Sequence, residues 1–296
     1  MLATAAIHAV NINGLPAWRL ELGDAFALIS AQGAQLLEYG FHGEPAVIWN
    51  NPHASFIPGQ PIRGGVPVCW PWFTALETNP QAVRDAWQCA EPPFHGLVRQ
   101  VDWRLECTSL EPQALRLTLR SPVDHHGLTT RLHLSLEPLA LELHLEISNA
   151  GSRSIAMAAA LHSYYAVSDV REVSLQGFAG TRCQDNLKDR VLCQQVDEPP
   201  IAGLTERVYL GLPDRLTLED PAWQRRIVIE PRDSRSAVLW NPGPERAASL
   251  DQFHPEAWHG MLCIETTRVQ EDLLEVAAGT QGGFGVRISR EPTTRT

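Results

Sequence analysis

The run Leu141-Glu142-Leu143-His144-Leu145-Glu146-Ile147 places an apolar side chain at every odd position and a polar one at every even position. Successive side chains of a β-strand point to opposite faces of the sheet, so this period of two predicts a half-buried antiparallel strand with one face in water. Turn-forming segments rich in Gly, Pro, Asn and Asp separate this run from its neighbours. The same alternation recurs at residues 115–120, 132–136, 226–230, 237–240 and 285–289.

Helical periodicity is scarce by comparison. Residues 251–258 form the best helical candidate, and strands do not alternate with helices as they would in a parallel α/β sheet. No low-complexity linker or break in composition divides the 296 residues. The sequence therefore predicts an all-β protein, a large antiparallel β-sandwich, in which residues 1–296 form a single domain.

Composition narrows the class of partner. The net charge is −10 and no basic tract compensates for it, which argues against nucleic acid as a partner. No apolar run is long enough to span a membrane and the N-terminus lacks a basic signal-peptide region, so we expect a cytoplasmic protein. The six cysteines include no Cys-x-x-Cys pair, which predicts mostly reduced, buried thiols. Lys188 is the only lysine, and no Schiff-base, P-loop or pyridoxal-phosphate signature surrounds it.

A second informative stretch, Pro-Ile-Arg-Gly-Gly-Val-Pro-Val-Cys-Trp-Pro-Trp-Phe at residues 61–73, fits neither a helix nor a regular strand. Its prolines remove amide donors, and Gly64 and Gly65 permit a positive φ or a close approach of the backbone. Arg63 precedes the glycines, and a guanidinium is rarely buried without an anionic partner. We interpret the segment as a ligand platform. Its three aromatic side chains fit a core position as well as a sugar contact.

Three further segments place chemistry-bearing side chains between or at the ends of predicted strands, where sites are often built. His95 lies in a His-Gly turn shortly before Arg99, and by itself it is typical of a turn histidine. His162 follows a run of small residues and fits a hydrogen-bonded core histidine as well as an acid or base. Glu265 follows Met-Leu-Cys-Ile, and a carboxylate so placed needs a partner or a chemical role.

Taken together, these segments resemble the hexose-6-phosphate mutarotases (glucose-6-phosphate 1-epimerases), a branch of the aldose 1-epimerase superfamily. The resemblance implies a β-sandwich of the galactose mutarotase type. It also implies interconversion of the α and β anomers of glucose 6-phosphate, with no metal and no cofactor. The matching stretches occur in the family's order at residues 62–73, 95–103, 161–165, 238–242 and 261–265.

The resemblance also implies roles for individual residues. His162 is the general acid and Glu265 the general base, while Arg63 and Arg99 hold the substrate by its phosphate. His95 supports them by stabilising charge on the ring oxygen or by orienting a hydroxyl. His162 would donate best while it is protonated near neutral pH, and Glu265 would work better as a base if apolar neighbours such as Ile264 raise its pKa.

Two positions depart from the family pattern and leave the sugar preference open. Phe94 stands where the family usually has a polar residue, often Gln, so one substrate hydrogen bond is missing or replaced. Glu206 stands where an aspartate is expected, and we assign it to substrate binding.

Other functions remain open at this stage, namely a non-catalytic carbohydrate-binding β-sandwich, an interaction-only β-sandwich and an aldose 1-epimerase acting on unphosphorylated hexoses. A cupin-type sugar-phosphate isomerase is disfavoured, because no His-x-His pair followed by a Glu is available for its metal. We expect a hexose 6-phosphate as the substrate, and a monomer or weak homodimer.

Overall fold

A computed structural model describes residues 5–292, and nearly half of these residues lie in strands that pair antiparallel. The helical elements are α1 (Gln81–Ala86), α2 (Gly243–Ala247) and 3₁₀ turns at Leu76–Thr78, Pro255–Gly260 and Gln270–Asp272. The strands are β1 (Ala5–Ile12), β2 (Leu15–Leu22), β3 (Ala25–Ser30), β4 (Leu36–Phe41), β5 (Val68–Cys69), β6 (Arg104–Glu111), β7 (Ala114–Arg120), β8 (Leu128–Leu136), β9 (Ala140–Asn149), β10 (Ile155–Met157), β11 (Ala159–Leu161), β12 (Tyr164–Ala166), β13 (Ser174–Gln176), β14 (Arg182–Asp185), β15 (Val191–Gln194), β16 (Thr205–Leu210), β17 (Leu216–Asp220), β18 (Arg225–Arg232), β19 (Ser236–Asn241), β20 (Met261–Arg268), β21 (Leu274–Val276) and β22 (Gln281–Pro292).

Two eight-stranded sheets dominate the architecture. One has the order β13-β17-β18-β22-β9-β8-β7-β6, and the other runs β15-β14-β16-β19-β20-β11-β5 with β12 also paired to β20. Strands β1 to β4 form a four-stranded meander, and β10 pairs with β21. Apolar side chains from both large sheets, such as Leu143 and Leu239, belong to one hydrophobic core. The predicted all-β class and antiparallel sandwich are confirmed.

The alternation that predicted the central strand is explained by burial. In β9 the side chains of Leu143, Leu145 and Ile147 are fully buried, while the polar residues between them are partly exposed. The adjacent strand β22 carries glycines where it passes β9, because a Cβ at Gly283 or Gly285 would collide with a β9 carbonyl oxygen. The glycine-rich segment at the end of the chain therefore serves close strand packing.

Two local predictions are wrong. Residues 251–258 do not form a helix; a 3₁₀ turn begins at Pro255, where His254 Nδ1 accepts a hydrogen bond from the Glu256 amide at 3.2 Å. The expectation of buried, reduced thiols holds only for Cys69 and Cys263. Two other cysteines are free but exposed, namely Cys89 and Cys107.

The remaining cysteines, Cys183 and Cys193, form a disulfide across the β14–β15 hairpin. The hairpin register places the two residues directly opposite each other, with their Cα atoms 5.0 Å apart. Opposed positions on neighbouring antiparallel strands fall within the separation that a disulfide requires. Among residues 5–292, no helix is long and apolar enough to cross a membrane.

Candidate active site

The platform at residues 61–73 owes its glycines to the fold. Gly64 and Gly65 have φ values of 101° and 67°, in the region that favours glycine. A Cβ on Gly65 would collide with the carbonyl oxygen of Leu36. The Gly65 amide donates to the Trp49 carbonyl at 3.1 Å, and its carbonyl accepts from the Tyr164 amide at 3.0 Å. The glycines thus seat the platform between neighbouring chain segments, while Arg63 is left at the cleft.

Hydrogen bonds to a distant loop fix the position of Arg63. Its Nε donates to the Asp251 carbonyl at 2.8 Å. Asn51 Nδ2 donates both to the Arg63 carbonyl at 3.3 Å and to the Gln252 carbonyl at 2.7 Å. The second predicted arginine, Arg99, is partly buried, and its Nε has no hydrogen-bond partner among the described residues. Arg63 is therefore anchored through Nε alone, and both arginines have donor capacity left for a ligand.

A cleft of about 560 Å³ brings the predicted residues together. All six line its wall: Arg63, His95, Arg99, His162, Glu206 and Glu265. Residues that the sequence analysis did not assign to the site also line it, including Tyr164, Asn186, Trp240 and Arg246.

The aromatic residues of the platform divide between core and cleft. Trp70 and Trp72 are fully buried in the hydrophobic core, so they are not sugar contacts. Phe73 is also buried, but it lines the cleft. Phe94, which lies outside the platform, lines the cleft too and is 61% exposed.

Aromatic rings hold the His162 imidazole. Its ring stacks on Tyr164 with a centroid separation of 4.8 Å and an interplanar angle of 9°. The rings of His95 and Trp240 meet it edge-on at 5.6 Å and 6.2 Å. The backbone amide of His162 donates to the Pro67 carbonyl at 2.9 Å. Packing therefore sets the ring orientation, and Nδ1 is buried without a partner among the described residues.

Glu265 lies on β20 and faces this imidazole. Its side chain is 1% exposed, and Oε1 lies 3.5 Å from His162 Nε2. The other carboxyl oxygen, Oε2, is buried and has no hydrogen-bond partner within residues 5–292. A carboxyl group left in this condition has capacity for a further hydrogen bond.

Burial shifts both groups towards their uncharged forms. It raises the pKa of Glu265 well above its ordinary value, and the nearby Glu206 carboxylate raises it further, while Arg99 opposes the shift. Burial lowers the pKa of His162 to about 3, with help from the positive charge of Arg99. The raised pKa that would make Glu265 a better base is therefore present. The protonated form in which His162 would donate best is disfavoured near neutral pH in the isolated protein, because its ring is desolvated among other rings.

His95 is both a turn histidine and a cleft residue. It has a φ of 67°, and its Nδ1 accepts a hydrogen bond from the Thr74 amide at 3.2 Å. Its pKa is lowered well below the ordinary value by burial and by the charge of Arg99. The ring is therefore neutral at physiological pH, with Nδ1 occupied as an acceptor.

Two polar neighbours of Glu206 were missed by the sequence analysis. Glu206 lies on β16, and its Oε2 accepts from Arg246 Nη1 at 2.7 Å. Its Oε1 accepts from Asn186 Nδ2 at 3.3 Å. Arg246 lies in α2, just beyond the Asn241-Pro242 end of β19, and no local pattern marks it as a site residue.

Comparison with known proteins agrees with the antiparallel β-sandwich fold. The family model described as aldose 1-epimerase matches residues 17–289. The chain belongs to the aldose 1-epimerase family, whose class of reaction is the interconversion of sugar anomers.

Curated relatives with epimerase names match most of the chain. A protein of Escherichia coli (strain K12) named "Putative glucose-6-phosphate 1-epimerase" is 30% identical over 258 residues, which are 83% of this chain and 80% of the relative. A protein of the same name from Salmonella typhimurium (strain LT2) is 29% identical over 245 residues, covering 81% of this chain and 79% of the relative.

Solved structures match over nearly the whole chain. A protein of Salmonella typhimurium described as a "putative mutarotase (YeaD)" superposes with a TM-score of 0.85 at 23% identity, covering 97% of this chain and 94% of that one. The galactose 1-epimerase of Lactobacillus acidophilus gives a TM-score of 0.74 at 14% identity, with 98% and 100% covered. At such identities the likeness establishes the fold.

Proposed function

We propose that the protein interconverts the α and β anomers of glucose 6-phosphate by general acid/base ring opening and closure. The observation that carries the proposal is the 3.5 Å approach of His162 Nε2 to Glu265 Oε1 in a cleft that also contains Arg63 and Arg99. The names of the curated relatives support the choice of a hexose 6-phosphate.

The reaction needs one proton acceptor and one proton donor. The acceptor takes the proton from the anomeric hydroxyl O1 while the donor protonates the ring oxygen O5, and the C1–O5 bond breaks. The aldehyde then rotates about the C1–C2 bond, and the same steps in reverse close the ring on its other face. Each positioned acid or base contributes a rate factor of about 10² to 10⁴.

His162 and Glu265 suit this task because they share one exchangeable proton. In the isolated protein, the raised pKa of Glu265 and the lowered pKa of His162 favour a protonated carboxyl group and a neutral imidazole. A bound sugar favours the opposite arrangement: O1 donates a hydrogen bond to a carboxylate, and O5 accepts one from an imidazolium. With substrate in place, His162 therefore acts as the general acid and Glu265 as the base. His95 orients a sugar hydroxyl near them.

The arginines account for recognition of the phosphate. A guanidinium presents a planar set of donors that suits a phosphate dianion. The chain carries a net charge of −10, so an anionic substrate has to be held by a local cluster of cations. Arg63 and Arg99 form such a cluster at the cleft, and unphosphorylated hexoses lack the group that would bind there. Glu206 contributes a hydrogen-bond acceptor for a sugar hydroxyl.

Exchange spectroscopy by NMR tests the proposal directly, because it measures the rate at which α and β anomers interconvert at equilibrium. The protein should accelerate the exchange of glucose 6-phosphate far more than that of glucose. Glu265→Gln should remove the acceleration and retain the fold, whereas Glu142→Gln on the outer face of β9 should retain both. Equal rates with both sugars would instead support an aldose 1-epimerase for unphosphorylated hexoses. Binding without exchange would support a carbohydrate-binding module.

The cytoplasmic location, the monomer or weak homodimer, the absence of a nucleic-acid partner and the single domain over residues 1–296 stay predictions.

A further inference from the structure

We propose that Arg246 is a positioning residue of this active site, which holds the Glu206 carboxylate on the α2 side of the cleft. The inference rests on the proposed function for its kinetic readout. It assigns a role to a residue on α2, an element that supplies none of the other groups in the mechanism.

Both carboxyl oxygens of Glu206 are held from outside the catalytic pair. Arg246 Nη1 contacts Oε2 at 2.7 Å, and Asn186 Nδ2 contacts Oε1 at 3.3 Å. The Asn186 amide also donates to the Glu206 carbonyl at 3.0 Å. The shorter, charge-assisted bond from Arg246 is the stronger of the two side-chain bonds. Without it, the carboxylate would be held by one long amide contact and would be free to turn.

The position of this carboxylate matters because both Glu206 and Glu265 line the same cleft. The titratable and charged groups that act on or are acted on by Glu265 are His162, Glu206, Arg99, Tyr164, Cys69 and Cys263. Among them, Glu206 is the group whose negative charge opposes ionisation of Glu265. Arg246 therefore governs two properties. It orients the Glu206 carboxylate, which accepts a hydrogen bond from the sugar, and it sets how strongly the charge of Glu206 opposes ionisation of Glu265.

The expected effect is moderate because the pair is partly exposed. The Arg246 side chain is 46% exposed and that of Glu206 is 27% exposed, so water screens the interaction. Arg246→Met should raise KM about two- to fivefold and leave the plateau value of kcat unchanged, as expected for a partly exposed ion pair. Arg246→Lys should recover part of the loss, since it restores the charge but lacks the planar set of donors.

The pH profile separates positioning from a simple charge effect. Loss of the shared proton from the His162–Glu265 pair sets the alkaline limb of kcat/KM. This limb should move to higher pH in Arg246→Met, because the released carboxylate opposes ionisation more strongly. It should move to lower pH in Glu206→Gln. In the double variant, the limb should lie where Glu206→Gln alone places it.

The matched control is Arg116→Met, which removes one half-exposed arginine paired with Glu111 on the outer strands and changes the net charge equally. This control should leave KM and the limb unchanged. Three results would overturn the inference: an unmoved KM and limb in Arg246→Met, an equal change in Arg116→Met, or a double variant whose shift is the sum of the single shifts. Additivity would mean that Arg246 acts as an independent charge.

A second readout does not depend on catalysis. Infrared spectroscopy follows the carboxyl stretch of Glu265 during a pH titration of the protein without sugar, with Glu265→Gln for assignment. The pKa of Glu265 obtained from this titration should rise in Arg246→Met and fall in Glu206→Gln. If the wild-type protein fails to exchange glucose 6-phosphate anomers, the proposed function fails, while the infrared shifts still decide whether Arg246 positions Glu206.

Discussion

His162 Nε2 lies 3.5 Å from Glu265 Oε1, and both side chains are almost entirely removed from water. Neither group has another side-chain hydrogen bond at its free atom: His162 Nδ1 and Glu265 Oε2 are both unpartnered within residues 5–292. Unsatisfied polar atoms in a buried position cost stability, and they are typical of sites that complete their bonding with a ligand. We therefore expect a bound ligand to complete the hydrogen bonding of this pair.

Replacing Arg63 should change the choice of substrate. Arg63→Ala should raise KM for glucose 6-phosphate about 10- to 100-fold, the equivalent of losing a hydrogen bond to a charged group. KM for glucose should change little, because that sugar has no phosphate. Measured anomer exchange with both sugars checks the prediction. Arg84→Ala, on the exposed side of α1, is the control, and equal losses on both sugars in Arg63→Ala would make Arg63 structural.

The pH dependence of kcat/KM should reflect a pair that holds one proton. The pKa of Glu265 is raised well above its ordinary value by burial, so the pair keeps its proton to higher pH than a free glutamate would. The pKa of His162 is about 3, so a second proton is added only in strong acid. We expect kcat/KM to be level around pH 7, where the phosphate is mostly dianionic. It should then fall at more alkaline pH, as the pair loses its proton. An acid limb centred at the ordinary glutamate pKa of about 4.3, and no alkaline limb, would contradict it.

The exposed ring of Phe94 should contribute to sugar binding. Phe94→Ala should raise KM for glucose 6-phosphate about threefold and leave kcat unchanged, because an apolar ring at the cleft can cover a CH face of the sugar. Leu139→Ala is a matched control, since Leu139 has the same 61% exposure and lies away from the cleft. Steady-state kinetics of the two variants checks this, and an unchanged KM in Phe94→Ala would rule out the contact.

The platform should depend on glycine for stability. Gly65→Ala should lower the free energy of unfolding by about 3 kcal/mol or more, since it adds the cost of a positive φ to a collision with the Leu36 carbonyl. Gly43→Ala has a comparable φ of 82° with open space around it, and should cost only about 1 to 2 kcal/mol. Urea unfolding of both variants separates the cost of the positive φ from the cost of the collision. Equal losses would mean that the collision is relieved by movement.

Much of the fold could be predicted because its signals are local. The alternation at 141–147 predicted a half-buried strand, and β9 has that pattern of burial. Period two directly reflects the geometry of a strand with one buried face. The six candidate site residues lie in segments whose resemblance to a known family implied their roles, and all six line the cleft.

The failures and omissions involve contacts between distant segments. The opposition of Cys183 and Cys193 follows from the β14–β15 register, and no Cys spacing indicated it. Arg246 enters the site because α2 packs beside the cleft, although its own neighbourhood in sequence is unremarkable.

The chain itself therefore determined the strands, the sheet-forming alternation and the chemical types of the site residues. The protonation states of those residues depend on the tertiary structure. Nothing adjacent to His162 in sequence predicts a pKa near 3, because that value arises from burial among rings supplied by separate segments and from the charge of Arg99. A local pattern encodes which face of a strand is apolar, whereas desolvation depends on every segment that covers the group.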